Sequence, residues 1–128
     1  MLEIFLIEDD PAARDRLADL LLQISGVSIA GVASGEEEAV AWLVANRDNW
    51  QLAVVDLMLA SGSGLRVLSS CRVRAAHQRM VVLSNHLSRT ARRRCHDFGA
   101  NAIFDKVTGL EGLLDYCETL SRYHPQRP

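Results

Sequence analysis

Residues 4–10 read IFLIEDD, and Pro11 follows at once. Isoleucine, phenylalanine and leucine in an unbroken run read as a strand covered on both faces, and such strands belong to parallel sheets. Three carboxylates at the end of such a strand are costly unless neighbouring charge offsets them. Asp10 stands just before Pro11, which is the pattern of an N-cap with proline at the first helical position. That leaves Glu8 and Asp9 as two acids at the mouth of a buried strand.

The same arrangement repeats along the chain. Apolar runs rich in β-branched residues occur at 2–7, 27–32, 52–57, 79–84 and 101–104, and segments of helical period lie between them. Leu17, Leu20, Leu21 and Ile24 share one helix face, as do Leu110, Leu113, Leu114, Cys117 and Leu120. The middle helices are marked by Ala39, Val40 and Leu43, by Leu65, Leu68, Cys71 and Ala75, and by Leu87, Ala91, Cys95 and Phe98. Gly35, Gly64 and Gly109 punctuate helix starts, and Gly99 falls where a helix ends in a residue of positive φ. Five strands alternating with five helices predict an α/β domain, a three-layer (βα)5 sandwich. Right-handed crossovers give its parallel sheet the flavodoxin-like order 2-1-3-4-5.

In that architecture a ligand binds at the carboxyl ends of the strands, where the first and third diverge. The first strand ends at Glu8 and Asp9, the third runs LAVVD into Asp56, the fourth ends at Ser84, and the fifth is followed by Lys106. A carboxylate closing an apolar run needs a partner, and three crowded carboxylates are best relieved by a hard divalent cation such as Mg2+. A lysine and a hydroxyl beside them suit a phosphoryl group. Lys106 is the only lysine among fourteen basic residues; the other thirteen are arginine.

Composition narrows the class further. The 128 residues are 48% hydrophobic and 23% charged, ordinary for one domain able to bury its own core. A net charge of −2 argues against a dedicated nucleic-acid binder. The N-terminus has no basic leader and no apolar run spans a bilayer, so a cytoplasmic protein without membrane insertion is expected. Cys71, Cys95 and Cys117 have no metal-ligand spacing and read as small core residues. The domain is expected to occupy 1–123, with 124–128 as a polar tail. His86 and His96 read as surface or partner-contact residues, and RTARRR at 89–94 reads as a solvated helix face or a patch for an acidic partner.

The constellation resembles the receiver domain of bacterial two-component response regulators over essentially the whole chain. Glu8 and Asp9 match its acidic pair, VVDLMLASGSGLRVL at 54–68 its phosphoacceptor loop, Ser84 its Thr or Ser, and Lys106 its phosphate-binding lysine. The resemblance implies Asp56 as phosphoacceptor, receiving its phosphoryl group from a sensor histidine kinase or a phosphotransfer protein. It implies Mg2+ held by Asp9, Asp56 and the backbone carbonyl of Met58, with Glu8 acting through water. It implies Lys106 pairing with the phosphate and Ser84 turning toward it. An output protein would dock on the face of the fourth helix, fifth strand and fifth helix.

With a domain expected to end near Tyr123 and a net charge of −2, the leading expectation is a stand-alone receiver without direct DNA binding, not an enzyme beyond the Mg-dependent self-phosphorylation and autodephosphorylation that the resemblance implies. It signals by phosphorylation-dependent docking or phosphorelay. Four positions depart from the family pattern: Asn85 where a small residue is favoured, Val107 in place of a proline after the lysine, Ile103 at an aromatic position, and Ala60 in place of a proline. An aspartyl phosphohydrolase is disfavoured because Met58 occupies the place of its second acid. A phosphorylation-independent receiver-fold adaptor is the alternative reading.

Overall fold

The computed structural model describes residues 1–123, so the expected tail at 124–128 lies outside the described residues. Five strands alternate with five helices: β1 (Leu2–Ile7), α1 (Pro11–Leu22), β2 (Val27–Ala33), α2 (Glu36–Ala45), β3 (Leu52–Val55), α3 (Gly64–Ser70), β4 (Arg79–Ser84), α4 (Arg89–Asp97), β5 (Ala102–Asp105) and α5 (Leu110–Tyr123). The strands form one parallel sheet of order β2-β1-β3-β4-β5, the order expected. Successive side chains of a strand point to opposite faces, so the apolar runs feed two cores. Leu2, Ile4, Leu6, Val54 and Leu83 pack with α1 and α5. Phe5, Ile7, Val55, Met80 and Val82 pack with α2, α3 and α4.

Helix α1 starts as its sequence requires. Asp10 is the N-cap, its side chain accepting from Ala12 N at 3.1 Å, and Pro11 is the first helical residue. Gly99, after α4, has φ +96°. Gly64 is dictated by close approach, because a Cβ there would lie 2.0 Å from the carbonyl oxygen of Asp56.

Several boundaries differ from the expected ones. Strand β3 stops at Val55, because Asp56 and Leu57 turn away into the loop toward α3; Leu57 is buried there and so resembles a strand residue in sequence. Helix α3 ends at Ser70 instead of continuing to Ala75. Arg74 takes over from it: Nη1 donates to Cys71 O, Nε to Gln78 O, and Nη2 to Gly99 O and Asn101 Oδ1. One guanidinium thus satisfies backbone carbonyls from the end of α3 and from the turn after α4. Strand β2 skips one residue against β1 between Ile4/Ile29 and Phe5/Gly31. The skip sets Gly31 under the indole of Trp42, which stacks on Phe5 with ring centroids 4.0 Å apart.

Cys95 and Cys117 are buried and Cys71 half-buried, all as free thiols. Burial pushes the Cys117 thiol up to about 12 from 9.0. The unfolded chain therefore ionises this thiol at a lower pH than the folded one, and the stability it contributes is present below about pH 9 and lost as pH rises toward 12. Urea titrations between pH 9 and 11 should show the wild type losing stability more steeply with pH than Cys117→Ala, by on the order of 1 kcal/mol per pH unit. Equal slopes would show that the thiol is not buried as described.

Candidate functional site

β1 and β3 are adjacent, yet their connections leave toward opposite faces of the sheet, α1 to one and α3 to the other. A crevice opens at their carboxyl ends. Hydrogen bonds continue just past the strands, from Glu8 N to Ala33 O at 3.0 Å and from Asp56 N to Ile7 O at 3.1 Å. They carry Glu8 and Asp56 into the crevice. Both acids are buried, with 6% and 7% of their surface exposed, although each closes an apolar strand.

The structure brings together the residues singled out in the sequence. Glu8, Asp9 and Asp56 each offer a carboxylate oxygen, and these oxygens lie within 4.8 Å of one another. Lys106 reaches across from the end of β5, with Nζ 2.7 Å from Asp56 Oδ2 and also donating to Glu8 Oε1. Asp56 Oδ1 accepts from Met58 N at 3.3 Å, and Asp9 Oδ2 accepts from Ala60 N at 3.0 Å. Ser84 is fully buried at the end of β4. Its Oγ accepts from His86 N at 3.2 Å, and its carbonyl accepts from Lys106 N at 3.2 Å. Ser84 thus lies next to the lysine along the sheet, and its hydroxyl oxygen is engaged on the side of α4.

One ammonium among three carboxylates leaves the crevice negative, and the local protonation equilibria reflect this. Burial pushes the Glu8 carboxyl up, outweighing the Lys106 ammonium and the Asp10 N–H that draw it down. Asp9 is held below the usual carboxylate range by its contact with Glu8, the better proton holder, and then by Ala60 N–H. Burial works against the charge of Lys106, but its bonds to Asp56 and Glu8 prevail and hold it above its ordinary value. Crowded oxygen donors with net negative charge are the chemistry of a hard divalent cation site.

The positions that depart from the family pattern are also placed. Ile103 is half-buried against the α2–α4 core. Phe104 packs on the other face, edge-on to Tyr116 with centroids 5.7 Å apart, so it does not substitute for an aromatic at 103. No cis peptide occurs among the described residues, so Lys106–Val107 is trans. Asp105 Oδ1 secures that turn by accepting from Val107 N at 2.7 Å and Thr108 N at 3.0 Å. A contributor the sequence does not announce is Glu36, whose carboxylate accepts from Ser63 N at 2.9 Å, 27 residues away.

A parallel (βα)5 sheet of this order with an acidic pocket at its switch point defines a flavodoxin-like α/β module, and comparison with known proteins gives its family. The chain belongs to the response regulator receiver domain family, which it matches over residues 4–118. It is 30% identical over 112 residues to the DNA-binding transcriptional activator DevR/DosR of Mycobacterium tuberculosis, a match covering 87% of this chain and 51% of the relative. The chain spans about half the length of that curated relative.

Two solved structures show the fold. A two-component response regulator of the LuxR family from Aurantimonas superposes with TM-score 0.82 at 19% identity, covering 94% of this chain and 85% of the other. A CheY-like receiver domain protein from Methanospirillum hungatei superposes with TM-score 0.80 at 20% identity, covering 98% and 99%. As a receiver domain the chain is a signalling module of two-component systems. Among the described residues no helix is long and apolar enough to cross a membrane.

Lys106 is the counter-charge of this crevice, so removing it should matter more than removing one acid. Lys106→Met should cost about 2 kcal/mol in urea unfolding at pH 7, because it leaves two buried carboxylates facing each other. Asp56→Asn relieves repulsion and keeps an acceptor for Lys106, and should cost less than half as much. The reverse order would contradict this charge balance.

Proposed function

We propose that this receiver accepts a phosphoryl group on Asp56 from a sensor histidine kinase or a phosphotransfer protein, and that the phosphorylated form acts by docking to an output protein or by phosphorelay. The observation that supports this reading most is the meeting of buried Asp56 with Glu8, Asp9 and Lys106 at the switch point of the sheet. A carboxylate oxygen of Asp56 attacks phosphorus, and an O–P bond forms as the bond from phosphorus to the donor's imidazole nitrogen breaks. That nitrogen keeps the electron pair and takes up a proton.

Lys106 Nζ, already beside Asp56 Oδ2, is placed to pair with the new phosphoryl oxygens. Ser84 Oγ uses a lone pair on His86 N–H, which leaves its hydroxyl hydrogen to donate toward the phosphoryl group. The donor set fits Mg2+, with Asp9, Asp56 and the main-chain carbonyl of Met58 as direct ligands and Glu8 acting through water. Bound there, Mg2+ supplies positive charge to the transferring oxygens. Activity of the domain on its own is limited to self-phosphorylation and autodephosphorylation.

The output surface in this reading is the α4-β5-α5 face. Helix α4 follows Ser84 closely and exposes Arg89, Arg92, Arg93 and Arg94, none of them within ion-pairing distance of an acid among the described residues. That face suits an acidic protein partner, with the stand-alone mode of action meaning that the partner is a separate cytoplasmic protein. Direct DNA binding by this domain is not part of the proposal.

Incubation with Mg2+ and a small acyl phosphate, followed by intact mass measurement, tests it. The wild type should gain about 80 Da, one phosphoryl group, and Asp56→Ala or excess chelator should abolish the gain. No addition, or equal addition to Asp56→Ala, would overturn the proposal and leave the phosphorylation-independent adaptor.

A further inference from the structure

The loop between Asp56 and α3 is fastened from two sides by carboxylates of different kinds. Asp9 Oδ2 accepts from Ala60 N, but Asp9 belongs to the acidic cluster. The other fastening is Glu36, at the start of α2 and outside that cluster. Its Oε1 accepts from Ser63 N at 2.9 Å, while its own backbone N–H donates to Ser61 O at 2.9 Å. The exchange is reciprocal. Gly35, the N-cap of α2, has no side chain to cap the helix, so a loop carbonyl takes the orphan N–H, and the helix returns a carboxylate to an N–H of the loop.

The backbone of the loop is shaped around this side chain. Gly62 has φ +93°, and a Cβ there would lie 2.3 Å from the Cβ of Glu36. Ser63, whose N–H Glu36 holds, is bridged antiparallel to Met58. The contact therefore runs from Glu36 to Ser63 and from Ser63 to Met58, whose carbonyl is assigned to the metal in the proposed function. We propose that Glu36 is a positioning residue for that site. It holds the loop over 57–63, and with it the Met58 carbonyl, in place while Asp9 is occupied by the cation. The inference rests on the receiver reading for the identity of the ligand, and on hydrogen-bond geometry alone for the loop.

Two measurements on the full chain separate these parts. In the first, Mg2+ binding is titrated calorimetrically for the wild type, Glu36→Ala and Glu36→Gln. Loss of a hydrogen bond made to a metal ligand itself typically lowers affinity about tenfold or more; Glu36 acts one residue further out, through Ser63, so Glu36→Ala should bind Mg2+ about fivefold more weakly. Glu36→Gln keeps an acceptor oxygen at the same reach and should stay within about twofold of the wild type. In the second, amide hydrogen exchange is followed without metal. Ser63 and its loop should exchange faster in Glu36→Ala and as in the wild type in Glu36→Gln, with Tm essentially shared by all three.

Wild-type affinity in Glu36→Ala would overturn the inference while leaving the receiver reading intact. So would a loss in Glu36→Gln as large as in Glu36→Ala, since that would assign the effect to charge instead of position. A wild type that binds no Mg2+ would remove the receiver reading's metal, and unchanged exchange at Ser63 would overturn the positioning role by itself.

Discussion

The end of this sheet holds three carboxylates against one ammonium, and much of the surrounding structure answers that imbalance. Glu8 and Asp56 cannot retreat into water, because the strands that carry them are buried on both faces and their backbone bonds continue the sheet past its last paired residues. Lys106 is drawn in from the far edge, held above its ordinary basicity by the acids it faces. The pocket remains short of positive charge. A pocket in that condition favours an added cation, although the Arg14 guanidinium, whose Nη1 donates to Glu8 O at 3.4 Å, brings further positive charge to its edge.

The fold was largely legible because its signals are local. Apolar runs without alternation, helical periods between them and Asp10-Pro11 at the first helix are each read within a few residues, and the order of the strands follows from handedness. The candidate residues were legible for a related reason: a charged side chain that closes an apolar run is conspicuous. What escaped depends on contacts between distant segments. The early end of α3 is explained by Arg74 reaching carbonyls that lie beyond β4. The skipped residue in β2 makes sense only once Trp42 is seen lying over Gly31. Leu57 is buried in a loop, and an apolar residue buried outside a strand looks in sequence like one inside it.

The two ends of the domain are fastened differently. Opposite the crevice, the Arg74 guanidinium ties together the end of α3, Gln78 before β4 and the turn after α4, and the Gln78 side-chain amide donates to Arg47 O and Trp50 O in the connection from α2 to β3. At the crevice end the loop amides of Met58, Ala60 and Ser63 each donate to a different carboxylate, of Asp56, Asp9 and Glu36, and Glu36 N–H returns one bond to Ser61 O. Rearrangement of the first end would break bonds from two side chains to several segments at once, whereas at the second each carboxylate tie can be exchanged on its own. The fold thus concentrates its adjustable contacts where the charged residues meet.

The arginines of α4 have a consequence that the overall charge conceals. Residues 60–101 contain eight arginines and one acid, Asp97, a net of +7, while the remainder of the chain carries −9, which together give −2. The molecule is nearly neutral in sum, yet α4 presents the exposed Arg89, Arg92, Arg93 and Arg94 on one element, a local positive field toward which acidic bodies are turned as they approach. An incoming protein is oriented before it makes any contact, and that orientation weakens as salt shortens the reach of the field.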